Sequence, residues 1–224
     1  MKNAVVIAVD GTAASGKGTL AKRLAGHFGF AHLDSGALYR LTALAVLQAG
    51  GDPANAADAV RGAQAIDLSL AGDLAIRTDK VGQAASQVAG IGAVRQALLD
   101  FQRSFLMSPP GGSFGAVMDG RDIGTVICPT ATAKLYVDAR PELRAHRRWL
   151  ELKGMGIERD EPGLLKELNA RDAADKSRPI SPLIQAADAV LLDTSDLGID
   201  AAFAAALALV SPRIEGALKD RHRG

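Results

Sequence analysis

The chain has 224 residues, 48% of them hydrophobic, with 26 Lys and Arg set against 25 Asp and Glu. That length buries a substantial core as one globular unit with insertions, and the charge balance excludes the broad basic field that holds nonspecific nucleic-acid binders on DNA, so any anion site must be local. The single cysteine, Cys128, excludes an intrachain disulfide and suits a reducing cytoplasm.

The first predicted element is the apolar run AVVIAV at 4–9, too short for a signal peptide. It is continuous and rich in β-branched residues, the pattern of a strand buried on both faces of a parallel sheet. A helix is expected from Lys17. Further short apolar runs at 116–118, 134–137 and 189–192 each precede an aspartate, at Asp119, Asp138 and Asp193. Helical patterns lie between them at 36–49, 82–107 with a break at Gly90 to Gly92, 141–153, 162–173 and 199–210. Strands alternating with helices predict an α/β fold around a parallel sheet.

The stretch 52–80 differs, because IDLSLAGDLAIR reads as two short strands about the turn signal Ala71, Gly72, Asp73. Ser108, Pro109, Pro110, Gly111 and Gly112 form a loop. No stretch is expected to reach a membrane-spanning length, and the basic end 219–224 reads as a solvated tail.

Gly11, Thr12, Ala13, Ala14, Ser15, Gly16, Lys17, Gly18 and Thr19 carry the pattern G-x-x-x-x-G-K between a predicted strand and a predicted helix. Glycines let backbone amides converge on phosphate oxygens, the helix N-terminus adds positive potential, and Lys17 supplies a compact point charge. A polyphosphate such as ATP is the ligand this combination serves. The residue after Lys17 is Gly18, and the hydroxyl arrives one place later at Thr19, the candidate Mg²⁺ partner.

Beyond the loop come Asp34-Ser35-Gly36-Ala37-Leu38-Tyr39-Arg40, Ala84-Ala85-Ser86-Gln87, Val94-Arg95, Asp119-Gly120-Arg121-Asp122-Ile123-Gly124-Thr125, Arg171-Asp172, Asp175 and Arg178-Pro179. With the G-K-G-T ending of the loop, these resemble the bacterial cytidylate kinases, from the first strand to about Asp193. The resemblance implies a P-loop kinase with a central five-stranded parallel sheet, a monophosphate-binding excursion at about 51–107 and a helical lid at about 141–184. The core would then occupy about 1–50, 108–140 and 185–224. It implies ATP and Mg²⁺ as donor and cofactor, CMP or dCMP as acceptor, and a cytoplasmic monomer without nucleic-acid or membrane partners.

By the same resemblance, Arg40 and Arg121 hold the acceptor's 5′-phosphate. Ser35, Arg95, Asp122 and Arg178 surround the cytosine, while Ser86, Arg171 and Asp175 reach the sugar. Cytosine offers an amino donor at N4 where uracil offers an acceptor, so a fixed carboxylate selects the first; Asp122 is the candidate. The competing reading of Asp122 is a cap on the turn that follows it. Asp119, at a strand end, is placed either to orient Mg²⁺ through water or to contact the acceptor nucleotide.

Arg144 and Arg148, four apart on a basic helix with Arg140 and Arg147, are candidates to close over ATP; the alternative is a solvated face paired with Glu142 and Glu151. Lys17, Arg121, Arg148 and Arg171 are the expected catalytic cations. His146 reads as a surface residue. The segment 66–81 is shorter than in longer members of the family. The first forty residues alone would equally suit an adenylate, uridylate or shikimate kinase. A nucleotide-dependent switch is the rival of another class, opposed by Gly18 after the lysine and by the many arginines.

Overall fold

A computed structural model describes residues 4–223. Five strands form one sheet in the order β2-β3-β1-β4-β5: β1 Val5–Gly11, β2 Ala31–Asp34, β3 Gly115–Gly120, β4 Ala133–Asp138 and β5 Val190–Asp193. β1 pairs in parallel with both β3 and β4, and β4 in parallel with β5. Every residue of β1 and β3 is buried, as expected of central strands covered on both faces.

Around the sheet run α1 Lys17–Phe28, α6 Pro141–Gly154, α7 Glu161–Ser177 and α8 Ile199–Arg223. Apolar residues of β1, β3, β4 and β5 meet Leu20, Ala21 and Leu24 of α1 and Ala202, Ala206, Val210 and Ile214 of α8 in the main core. Burying one such leucine contributes about 1.5–3 kcal/mol. Two compact units are present, one built from 1–33 with 106–224 and the other from Asp34–Phe105.

The second unit holds α2 Ser35–Gln48, α3 Ala56–Gln64, α4 Asp79–Ala89 and most of α5 Gly92–Met107. The break expected at Gly90 to Gly92 separates α4 from α5. Polar side chains start three of these helices: Asp34 accepts from the Ala37 amide, Asn55 from those of Ala57 and Asp58, and Thr78 from that of Val81.

Several expectations are corrected. The two strands expected within 66–77 are 3₁₀ turns, Leu68–Gly72 and Leu74–Arg77. Asp67 and Asp73 cap them through the Ser69 and Ala75 amides, local bonds that favour a turn over an extended ladder. The last helix runs well past 210. Its 22 residues Ile199–Asp220 are long and apolar enough by composition to cross a membrane, contrary to the expectation of no such stretch. Its apolar character has a use at one face, where Ala202, Ala206, Val210 and Ile214 join the main core.

The strand register decides where chemistry gathers. Asp10 lies opposite Gly120 on one side and Tyr136 on the other, so β1, β3 and β4 end together. The loops leaving them share the C-terminal edge of the sheet, where open parallel sheets place their ligand sites.

Candidate active site

β1 ends at Gly11, and the phosphate loop begins there. A Cβ on Gly11 would stand 2.0 Å from the Val137 carbonyl oxygen of β4, so only glycine fits. Ala14 (φ 58°) and Gly16 (φ 89°) are left-handed, which reverses the chain within a few residues and turns successive amides toward one concavity. Inside the loop, the Ser15 hydroxyl and Lys17 Nζ both donate to the Thr12 carbonyl, at 3.0 and 3.3 Å. Lys17 and Gly18 open α1, which places the helix N-terminus under the same concavity.

The loop is also gripped from outside. The Thr12 hydroxyl donates to Asp138 at 2.6 Å, the Thr194 hydroxyl to the Ser15 carbonyl at 3.0 Å, and the Ala13 amide to Asp172 at 3.3 Å. Arg144 donates to the Ala13 carbonyl at 3.1 Å, the Ala139 carbonyl at 2.8 Å and the Asp172 carboxylate at 2.5 Å. Arg144 and Asp172 are 4% and 5% exposed, so this ion pair is buried and fully engaged. Arg144 therefore belongs to neither a solvated face nor an open array; it ties α6 and α7 to the backbone of the phosphate loop. Ala13 completes the seam by packing against Ala145 and Leu168.

The other arginines of α6 differ. Arg148, 21% exposed, pairs with Glu151 three residues along the helix at 2.8 Å. Arg147 donates to the Thr194 hydroxyl and carbonyl, and Arg140 pairs with Asp196. His146 is half-exposed, beside Glu161 and stacked on Trp149.

Where β3 ends, Asp119 is 3% exposed and its Oδ1 lies 2.8 Å from His32 Nε2, accepting from that nitrogen in the tautomer that carries its proton. Its second oxygen lies toward the start of α1, 3.5 Å from where a Cβ on Gly18 would be. Asp119 and the exposed Thr19 hydroxyl are hard oxygen donors beside the phosphate loop. They fit a magnesium ion that keeps most of its water. Among the described residues, no group of three His, Cys, Asp or Glu side chains is arranged to hold a metal by itself.

Asp122 follows, buried, and opens a one-turn π-type segment, Ile123–Ile127. It makes no capping hydrogen bond to that segment, so capping does not account for it. The first two amides of the turn donate instead to Asp10, 113 and 114 positions earlier, at 2.8 and 2.7 Å. Burial pushes the Asp10 carboxyl up to about 6, against the opposing pull of those two amides.

Arg121 donates through Nε to Asp175 of α7 at 2.8 Å, and Arg178 approaches the other Asp175 oxygen at 3.5 Å. Burial pushes the Asp175 carboxyl up, but Arg121, Arg178 and Arg171 outweigh it and hold it below its ordinary value. Three arginines thus gather around one carboxylate near the sheet's C-terminal edge. Asp175 joins Arg121 to Arg178 through its two oxygens, with Arg171 near enough to act on its charge.

In the second unit, Arg40 donates to the Ile76 carbonyl at 2.9 Å. Arg95, 8% exposed, donates to the Ala89 carbonyl at 2.7 Å and to the Tyr39 hydroxyl at 3.2 Å, and its guanidinium lies 5.1 Å from the Tyr39 ring centre. Ser35 is buried at the start of α2, and the exposed Ser86 hydroxyl donates to the Gly82 carbonyl at 3.3 Å. The motif residues missing from the sequence reading are Asp10, Thr12 as an Asp138 partner, His32, Asp172 as a loop anchor, and Thr194. Only Asp10 carried a local signal, as a carboxylate ending an apolar strand.

A family model described as cytidylate kinase matches residues 7–211. A cytidylate kinase of Afipia carboxidovorans is 52% identical over 206 residues, covering 92% of this chain and 97% of that protein. One from Bradyrhizobium diazoefficiens is 49% identical over 220 residues, covering 98% of this chain and all of its own. One from Rhodospirillum rubrum is 50% identical over 207 residues, covering 92% and 97%. Among solved structures, an uncharacterized protein from Eubacterium ventriosum shares the fold with a TM-score of 0.52 at 12% identity, covering 92% of this chain and 98% of that one. A phosphate loop with a G-K-G-T ending, a buried Asp122 and an arginine cluster on Asp175 sit within a match that spans nearly the whole chain: the protein belongs to the cytidylate kinase family.

Proposed function

We propose that this protein transfers the γ-phosphoryl group of ATP to CMP or dCMP, giving ADP and CDP or dCDP. The observation that carries the reading is the family match over 7–211, which includes both the phosphate loop and the Asp119 to Thr125 segment.

The acceptor is a phosphate oxygen already ionised at neutral pH, so the reaction needs no general base. The demand on the protein is to bring two polyanions into line and neutralise the charge that develops on the transferred group. Lys17 and the amides of 11–19 take the donor's phosphates. Arg121 takes the acceptor's 5′-phosphate, Arg171 and Asp175 its sugar and Arg178 its base, with Asp175 joining Arg121 to Arg178 through its two oxygens. The charge of Arg148, four residues along α6 from Arg144, is assigned to the transferred group. Asp122 accepts from the cytosine amino group. Ser35, Arg40, Ser86 and Arg95 are assigned to the acceptor nucleotide on the resemblance.

Mg²⁺ held by Thr19 and Asp119 through water would supply charge neutralisation between the donor phosphates. Arg144 reaches ATP through the loop it anchors: by fixing the Ala13 carbonyl, it sets the shape of the concavity. The near balance of charge supports action on small molecules rather than on nucleic acid, and a cytoplasmic monomer is assigned on the resemblance.

An ADP-release assay with ATP, Mg²⁺ and each of CMP, dCMP, UMP and AMP tests the reading. Turnover is expected with CMP and dCMP well above UMP and AMP. Preference for AMP or UMP would overturn it.

A further inference from the structure

We infer that Asp10 is a positioning residue for acceptor recognition: its carboxylate, reaching from the end of β1, holds the turn that carries Arg121 and Asp122 in its base-reading conformation. This rests on the proposed role of that turn in binding CMP.

Asp10 is 4% exposed and uses both oxygens, Oδ1 for the Ile123 amide and Oδ2 for the Gly124 amide. The first amides of any helical turn lack partners further back in the same turn, and when buried they need an acceptor from elsewhere. The nearest candidate in sequence is Asp122, whose side chain does not cap. Asp10 caps the turn at a cost, since burial opposes its charged form.

The charged and titratable groups that face Asp10 are Asp122 and Arg121 on the turn, with Tyr136 beside it on β4. Space at the contact is tight. A Cβ on Gly124 would lie 3.0 Å from Lys134 Cδ and 3.3 Å from Asp10 Oδ2. The backbone of Asp10 meanwhile pairs within the sheet and leads directly into Gly11. Its side chain serves the turn and its main chain serves the phosphate loop, so the two functions separate on substitution.

A carboxylate accepts from both amides; a carboxamide accepts from one and aims a donor at the other. Asp10→Asn is therefore expected to loosen the turn while leaving the loop in place. The experiment measures kcat/KM for CMP and for UMP by ADP release, and ADP binding by calorimetry, in the wild type and in Asp10→Asn. We expect kcat/KM for CMP to fall about tenfold and that for UMP about twofold, with ADP affinity within about twofold of wild type. Equal losses for both acceptors, or ADP affinity falling in step with CMP, would assign Asp10 a merely structural role. If Asp10→Asn does not fold, Gly124→Ala crowds the same contact with Asp10 intact: a narrowed CMP preference supports the inference, and a preserved one overturns it. A wild type that does not prefer CMP sinks the substrate reading, whereas preference that survives both variants sinks only the inference.

Discussion

The phosphate loop and the Asp119 to Gly124 turn leave the same edge of the sheet from neighbouring strands, yet they are held by opposite means. The loop is shaped by its own backbone, through Gly11 pressed against β4 and left-handed dihedrals at Ala14 and Gly16. Side chains from α6, α7 and the segment after β5 then grip it from outside. The turn closes its later residues on the Asp122 and Ile123 carbonyls but depends on distant side chains for its start. Its first amides are taken by Asp10 of β1, its arginine by Asp175 of α7, and its leading aspartate by His32 of β2. A structure defined by dihedrals fails through steric change; one defined by buried carboxylates fails through loss of charge or acceptors.

Gly11→Ala should break the first region most severely, because the new methyl meets backbone that cannot rotate away. A loss of more than about 3 kcal/mol is expected in urea unfolding. A midpoint equal to wild type would mean that β4 yields and that the dihedrals do not define the loop. Lys17→Ala removes charge but not shape. Turnover should drop on the order of a hundredfold or more with thermal stability retained, and near-normal turnover would refute the site assignment.

In the second region, Asp175→Asn should cost about 2 kcal/mol at pH 7 by stripping charge from bonds to Arg121 and Arg178. The folded protein depresses this carboxyl below its ordinary 3.8, so its contribution is present above that value and disappears as pH falls through the depressed range. The gap between variant and wild type should close on acidification, and a gap that persists at low pH would point to packing instead. Asp122→Asn should have the smallest effect, a fall of about tenfold in the CMP to UMP ratio of kcat/KM with little change in ATP binding. An unchanged ratio would place base selection elsewhere.

Much of the architecture was legible from residue pattern alone. The central strands announced themselves as unbroken apolar runs, and the helices as periodic ones. β2 escaped because four residues, AHLD, offer neither alternation nor a continuous run. α3 escaped because AADAVRGAQ contains one large apolar residue; it is held by buried Ala59 and Ala63, which are small enough for close packing but carry little signal. The 3₁₀ turns were mistaken for strands because Asp67 and Asp73 act through hydrogen bonds to amides two residues on, which outweigh an alternating pattern over so short a span.

The amino-acid order determined the phosphate loop by itself, since nine consecutive residues contain the glycines, the lysine and the helix start that the structure uses. It also determined the family, through motifs spread along the chain. Only the folded chain decided that Asp10 rather than Asp122 caps the turn, that Arg144 is a buried anchor with Asp172, and that His32 meets Asp119. Those contacts join residues 28 to 114 positions apart. Strand register and helix packing bring them together, and a carboxylate's partner in a desolvated interior is whichever donor that packing delivers.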